Sequence, residues 1–202
     1  MYLSRIWLDT KNRDVMRALA NPNRFHGALE ACDPNRDRKL WRVDGLSGQK
    51  CLLVLSRGRL DLASAAGQLG ADGYEQAPYD RVLNKITVGS RWQFRLVANP
   101  TYRKRDGDAR MLYGHVSTAH QTRWLIGKSA TCGFVLDSDE FGIMGSKDIA
   151  FEKATGEKVQ FKSCCYEGLL EVSDVNAFRA ALTGGIGREK AYGQGMMTIV
   201  PM

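Results

Sequence analysis

The chain is 202 residues long with 44% hydrophobic and 25% charged side chains, enough for one large domain or two small ones, which excludes wholesale disorder. Twenty-nine Lys and Arg against 22 Asp and Glu leave a formal net charge of +7, pointing towards a polyanionic partner. No uncharged run approaches the ~20 apolar residues of a membrane span, and Arg5 and Asp9 interrupt the stretch where a signal peptide would need its apolar core.

Five cysteines (Cys32, Cys51, Cys132, Cys164, Cys165) without a CxxC pair argue against zinc ribbons and disulfide frameworks and suit a reducing cytoplasm.

In chain order, YLSRIWL (2–8) is short and β-rich and predicts a strand. Residues 12–20 predict a helix, with Val15, Met16 and Leu19 at helical spacing. Asn21-Pro22 interrupts it, because the residue before proline leaves the α region and Pro22 suits the first turn of a new helix. That second helix is expected from about Asn23 to Cys32. LWRV (40–43) and KCLLVLS (50–56) predict a hairpin, residues 61–69 a short helix, and KITV (85–88) a strand closing the first unit.

The second half repeats the order. RWQFRLVA (91–98) alternates as a strand, and residues 117–128 predict a helix capped by Ser117. CGFVLD (132–137) and residues 159–172 predict strands separated by a polar loop or hairpin. Ser173 or Asp174 caps a helix through Leu182, and GMMTIV (195–200) is the last strand. Both halves read β-α-β-β-α-β. The fold class is α+β, two tandem ferredoxin-like domains at residues 1–90 and 91–202.

Charge is uneven: net +4 over residues 1–90, +6 over 91–128 and −3 over 129–202. The densest point is Arg103-Lys104-Arg105. Alone, such a run reads as a solvated surface loop; Tyr102 beside it favours stacking on bases and neutralising phosphates. Near the C-terminal end, Gly185, Gly187, Gly193 and Gly195 form a G-x-G-x5-G-x-G pattern enclosing Arg188, Lys190 and Tyr192. It is neither a Walker A loop nor a dinucleotide fingerprint, since it follows a helix and enters a strand. Taken alone it is a structural turn.

With these segments in order, the chain resembles the CasE family of CRISPR-associated endoribonucleases over essentially its whole length. The resemblance rests on the MYLSRIWL opening, the histidine of NPNRFH, FRLVANP at 94–100, and the terminal GIGREKAYGQGMMTIVP. It implies an antiviral-defence protein that binds the stem-loop of a CRISPR repeat transcript and cuts at the 3′ base of the stem. The cut needs neither metal nor cofactor and leaves a 2′,3′-cyclic phosphate or its hydrolysis product. The protein stays bound to the hairpin beside the other Cascade subunits, with no membrane partner. The resemblance also makes His26 the catalytic histidine.

The residues suit that chemistry. Metal-free cleavage uses the adjacent 2′-hydroxyl as nucleophile and needs a base, a proton donor and positive charge, and only histidine has an ordinary pKa near neutrality. Of His26, His115 and His120, His26 falls early in the helix after Pro22, where the dipole favours a neutral imidazole and free N–H groups attract phosphate. Many family members carry tyrosine three residues earlier, where this chain has Asn23, so the acid role stays open among Arg24, a lysine of 158–162 and His115. Candidate RNA-binding residues are Asn23, Arg24, Asn99, Arg103, Lys104, Arg105, Arg110, Lys158, Lys162, Arg188, Lys190 and Tyr192, with Gly185, Gly187, Gly193 and Gly195 shaping the loop. Asn23 also keeps open a catalytically weak or inactive hairpin-binding subunit.

Overall fold

The computed structural model describes residues 1–35, 37–71, 73–106 and 109–202; the side chains of residues 106, 109 and 110 lie outside this set. The chain divides into two compact units. The first comprises Met1–Asn84, Phe151–Lys158 and Ala191–Gly193, and the second comprises Lys85–Ala150, Val159–Lys190 and Gln194–Met202.

The first unit begins with β1 (Tyr2–Leu8), whose alternation buries Ser4, Ile6 and Leu8 and leaves Arg5 and Trp7 on the other face. Two helices follow, α1 (Arg13–Ala20) and α2 (Pro22–Ala31). Asn21 ends the first and starts the second: its backbone N–H reaches the Arg17 and Ala18 carbonyls, while its side chain accepts from the Asn23 N–H at 3.1 Å. β2 (Leu40–Leu46) and β3 (Gln49–Ser56) form the hairpin, then come α3 (Leu62–Leu69), β4 (Gly73–Pro78) and the one-turn helix α4 (Asp80–Leu83). The antiparallel sheet runs β2-β3-β1-β4, with Ile6 opposite Leu52 on one side and Tyr74 on the other. Its core gathers Ile6, Val15, Phe25, Leu29, Trp41, Leu52, Leu62 and Leu69.

The closing strand is therefore β4, a correction to the expected strand at 85–88. Residues 87–90 instead form a turn, in which the Ser90 hydroxyl donates to the Thr87 carbonyl at 2.6 Å and Gly89 takes φ 76°. β4 is an edge strand with Tyr74 half exposed, so it carries no buried alternation to betray it.

The second unit holds β5 (Arg91–Ala98), β6 (Thr101–Asp106), β7 (Ala109–Gly114), α5 (Thr118–Ser129), β8 (Phe134–Val135), α6 (Val175–Gly184) and β11 (Met196–Pro201). Between β8 and α6 runs a long hairpin, β9 (Phe141–Glu152) and β10 (Lys158–Val172), whose turn is counted with the first unit. The second sheet has five strands: β9 pairs with β10 off the main path β11-β5-β10-β8, and the four strands of that path, ranked among themselves in chain order, match the first sheet. This shared 4-1-3-2 order over βαββαβ is the ferredoxin-like arrangement. Two details differ from expectation. The strand at 132–137 shrinks to Phe134–Val135, and Arg103–Arg105 lie in β6, paired with β7, rather than in a loop.

Candidate active site and nucleic-acid interface

His26 is the fifth residue of α2, following Pro22 at the helix start. Its neighbour Phe25 is buried against Trp41, ring centroids 5.4 Å apart, which fixes the rotation of the helix and leaves His26 half-buried. Trp41 in turn donates from Nε1 to the Ala191 carbonyl at 3.1 Å. Gly193 packs so closely on the same indole that an added Cβ would stand 2.8 Å from a ring carbon, and its φ is 78°. The strand-borne tryptophan thus ties α2 to residues 191–193, and Tyr192 meets His26 with ring centroids 6.2 Å apart, near-perpendicular.

Phe151, near the end of β9, and Lys153, in the turn that follows, complete this cluster. Phe151 packs edge-on against Tyr192 at 4.9 Å, and the Lys153 ammonium lies 6.0 Å from the centre of the Tyr192 ring. Lys153 also pairs with Glu157 at 2.8 Å. Hydrogen bonding to Glu157 first, and to Tyr192 second, holds its ammonium above the ordinary value, so it is a fixed positive charge at neutral pH. Imidazole, phenol and ammonium stand together, a set that can move protons and face a phosphate.

The other candidates are distributed. Asn23 is half-buried; Arg24 is exposed, 4.0 Å from Asp14. Lys158 is exposed at the start of β10, and Lys162 pairs with Asp148 at 2.7 Å. Arg103, Lys104 and Arg105 are exposed on β6; the side chain of Arg110 lies outside the described residues. Arg188 is exposed, and its backbone bridges that of Asn99, whose buried Oδ1 has no hydrogen-bond partner among the described residues. Lys190 donates to the Gly184 carbonyl at 2.7 Å. Gly185, Gly187, Gly193 and Gly195 have φ of 76°, 88°, 78° and 85°. His115 belongs to the second unit, where burial first and the charge of His120 second push its imidazole below the ordinary value.

A family model described as CRISPR associated protein matches residues 1–201. The chain belongs to this family. A curated relative, the CRISPR-associated endoribonuclease Cse3 of Thermus thermophilus, is 29% identical over 216 residues, covering all of both chains. A structure of CRISPR endoribonuclease Cse3 bound to 19 nt RNA shares 26% identity at TM-score 0.84, again over the whole of both chains. A CRISPR RNA-guided surveillance complex contains a chain of the same fold, 24% identical at TM-score 0.72 over both full lengths.

Within this CRISPR-associated protein, sequence reasoning singled out His26 and Tyr192 separately and missed Trp41, Phe151 and Lys153. Nothing local marks the last three, since each acts through contacts with residues remote in the chain. None of the five cysteines is in a disulfide, with Cys164 buried and Cys165 partly exposed on successive positions of β10. Among the described residues, no helix is long and apolar enough to cross a membrane.

Proposed function

We propose that the chain is a cytoplasmic, metal-independent endoribonuclease that binds the stem-loop of CRISPR repeat transcripts and remains with its product among the subunits of a surveillance complex. The observation that carries this reading is the meeting of His26 and Tyr192 in the first unit, beside a lysine. The Thermus thermophilus relative named as an endoribonuclease, and the RNA-bound structure similar to this chain, support it.

In the reaction, the 2′-oxygen bonds to phosphorus as its proton leaves, and the P–O5′ bond breaks as the 5′-oxygen gains one, giving a 2′,3′-cyclic phosphate and a 5′-hydroxyl. His26 serves one of these proton transfers. Tyr192 supplies a phenol beside it, the group that Asn23 cannot provide, because an amide has no titrating proton in this range. Lys153 places a positive charge near the phosphorane. The exposed Arg103, Lys104 and Arg105 follow the stem backbone, since an A-form major groove hides its bases and leaves phosphates and 2′-hydroxyls to be read. In this reading residues 1–90 are an N-terminal domain and residues 91–202 a C-terminal domain with the glycine-rich loop, of which Phe151–Lys158 and Ala191–Gly193 pack with the first unit.

The test is single-turnover cleavage of the cognate repeat in EDTA by wild type and His26→Ala. Loss of general acid–base catalysis lowers the rate about 10²–10⁴-fold. Equal rates remove His26 from the mechanism, and no cleavage by the wild type leaves a hairpin-binding subunit.

A further inference from the structure

At the base of the β6–β7 hairpin four aromatic rings stand in series. Tyr113 and Tyr102 face each other across the strand pair, ring centroids 5.8 Å apart; Tyr102 stacks on His115 at 4.7 Å; His115 stacks on His120 at 5.6 Å. The planes of Tyr102 and His115 lie 27° apart and those of His115 and His120 24° apart. Tyr102 is 41% and Tyr113 38% exposed, and His120 is exposed.

Buried Gln121 holds the row in place, donating from Nε2 to the His115 carbonyl at 2.8 Å and to the Ser146 hydroxyl at 3.0 Å. The outer ring is fixed as well. The Ser117 hydroxyl accepts from the His120 backbone N–H and lies 2.8 Å from Nδ1, an arrangement that suits Nδ1 as acceptor and turns an Nε2–H donor outward. Lys104 lies two residues from Tyr102 on the same face of β6, with Arg103 and Arg105 on the other.

A structural cluster would bury its rings, whereas this row keeps three of four at the surface beside cationic side chains. We propose that the row Tyr113–Tyr102–His115–His120 is a stacking platform for an unpaired nucleobase of the bound RNA, a contact separate from the grip on the paired stem. Aromatic faces accept any base, which suits a nucleotide without a pairing partner. Burial first, and the charge of His120 second, push the His115 imidazole below its ordinary value, which disfavours a charge in the middle of the row. The proposal rests on the ribonuclease reading above.

The experiment measures fluorescence-anisotropy affinities for the repeat hairpin with and without its unpaired flanking nucleotides. Wild type, His120→Ala and His120→Phe are compared, and the trimmed hairpin reports the integrity of each variant. The flanked-to-trimmed affinity ratio should fall roughly tenfold in His120→Ala and return in His120→Phe, which keeps a ring but no donor. A ratio unchanged in His120→Ala, or lost equally in both variants, overturns the platform. Wild-type protein that binds both RNAs equally overturns it alone; wild-type protein that binds neither overturns the ribonuclease reading too.

Discussion

The Tyr192 ring meets the His26 ring at an interplanar angle of 74°, and both are positioned by the indole of Trp41, which packs on Phe25 and holds the Ala191 carbonyl. An imidazole on a helix and a phenol from a distant turn are thereby fixed to one strand residue.

If the phenol takes part in proton transfer, ring and hydroxyl are separable. Tyr192→Phe keeps the packing on Phe151 and His26 but removes the hydroxyl, so single-turnover cleavage should drop about tenfold or more with little change in RNA affinity. A rate equal to wild type restricts Tyr192 to packing.

Gly193 is a stability position. A side chain there adopts an unfavourable positive φ and meets Trp41 at 2.8 Å. Gly193→Ala should lower unfolding free energy by about 2–4 kcal/mol, from the left-handed backbone penalty and overpacking together. Urea denaturation with an unchanged slope and a lower midpoint is the expected record.

The basic strand β6 predicts a salt signature. If Arg103, Lys104 and Arg105 each neutralise a phosphate, replacing all three by alanine should flatten the slope of log affinity against log salt by about 2–3. Parallel slopes for wild type and variant would place these side chains away from the RNA.

His115 predicts a pH dependence of stability. Its folded-state value lies below the ordinary 6.5, first through burial and then through His120. As pH falls, the unfolded chain takes up this proton first, so the unfolded state binds more protons and stability declines through about pH 6.5 until the folded ring also protonates. Above that range the effect vanishes. His115→Gln should therefore lose less stability than wild type between pH 7 and 5, by thermal unfolding; coincident acid limbs would rule the group out.

Local signals made much of the fold legible. The Asn21-Pro22 break, the Ser117 and Asp174 caps and the alternation of β5 each depend on neighbouring residues, and each element stands where those signals put it. β4 and β6 were obscured for related reasons: an exposed edge strand needs no buried face, and a run of three cations reads as solvated chain until its partner strand is known. At the site, His26 and Tyr192 announce themselves by side-chain chemistry. Trp41 reads as an ordinary core residue, and only its bond to Ala191 gives it a second task.

The first unit borrows Phe151–Lys158 and Ala191–Gly193 from segments well downstream of its main stretch. A ribosome therefore releases the imidazole long before its phenolic neighbour exists. A nascent chain halted ahead of residue 192 displays a histidine with no Tyr192 beside it, so this pairing is armed only once that residue has been made.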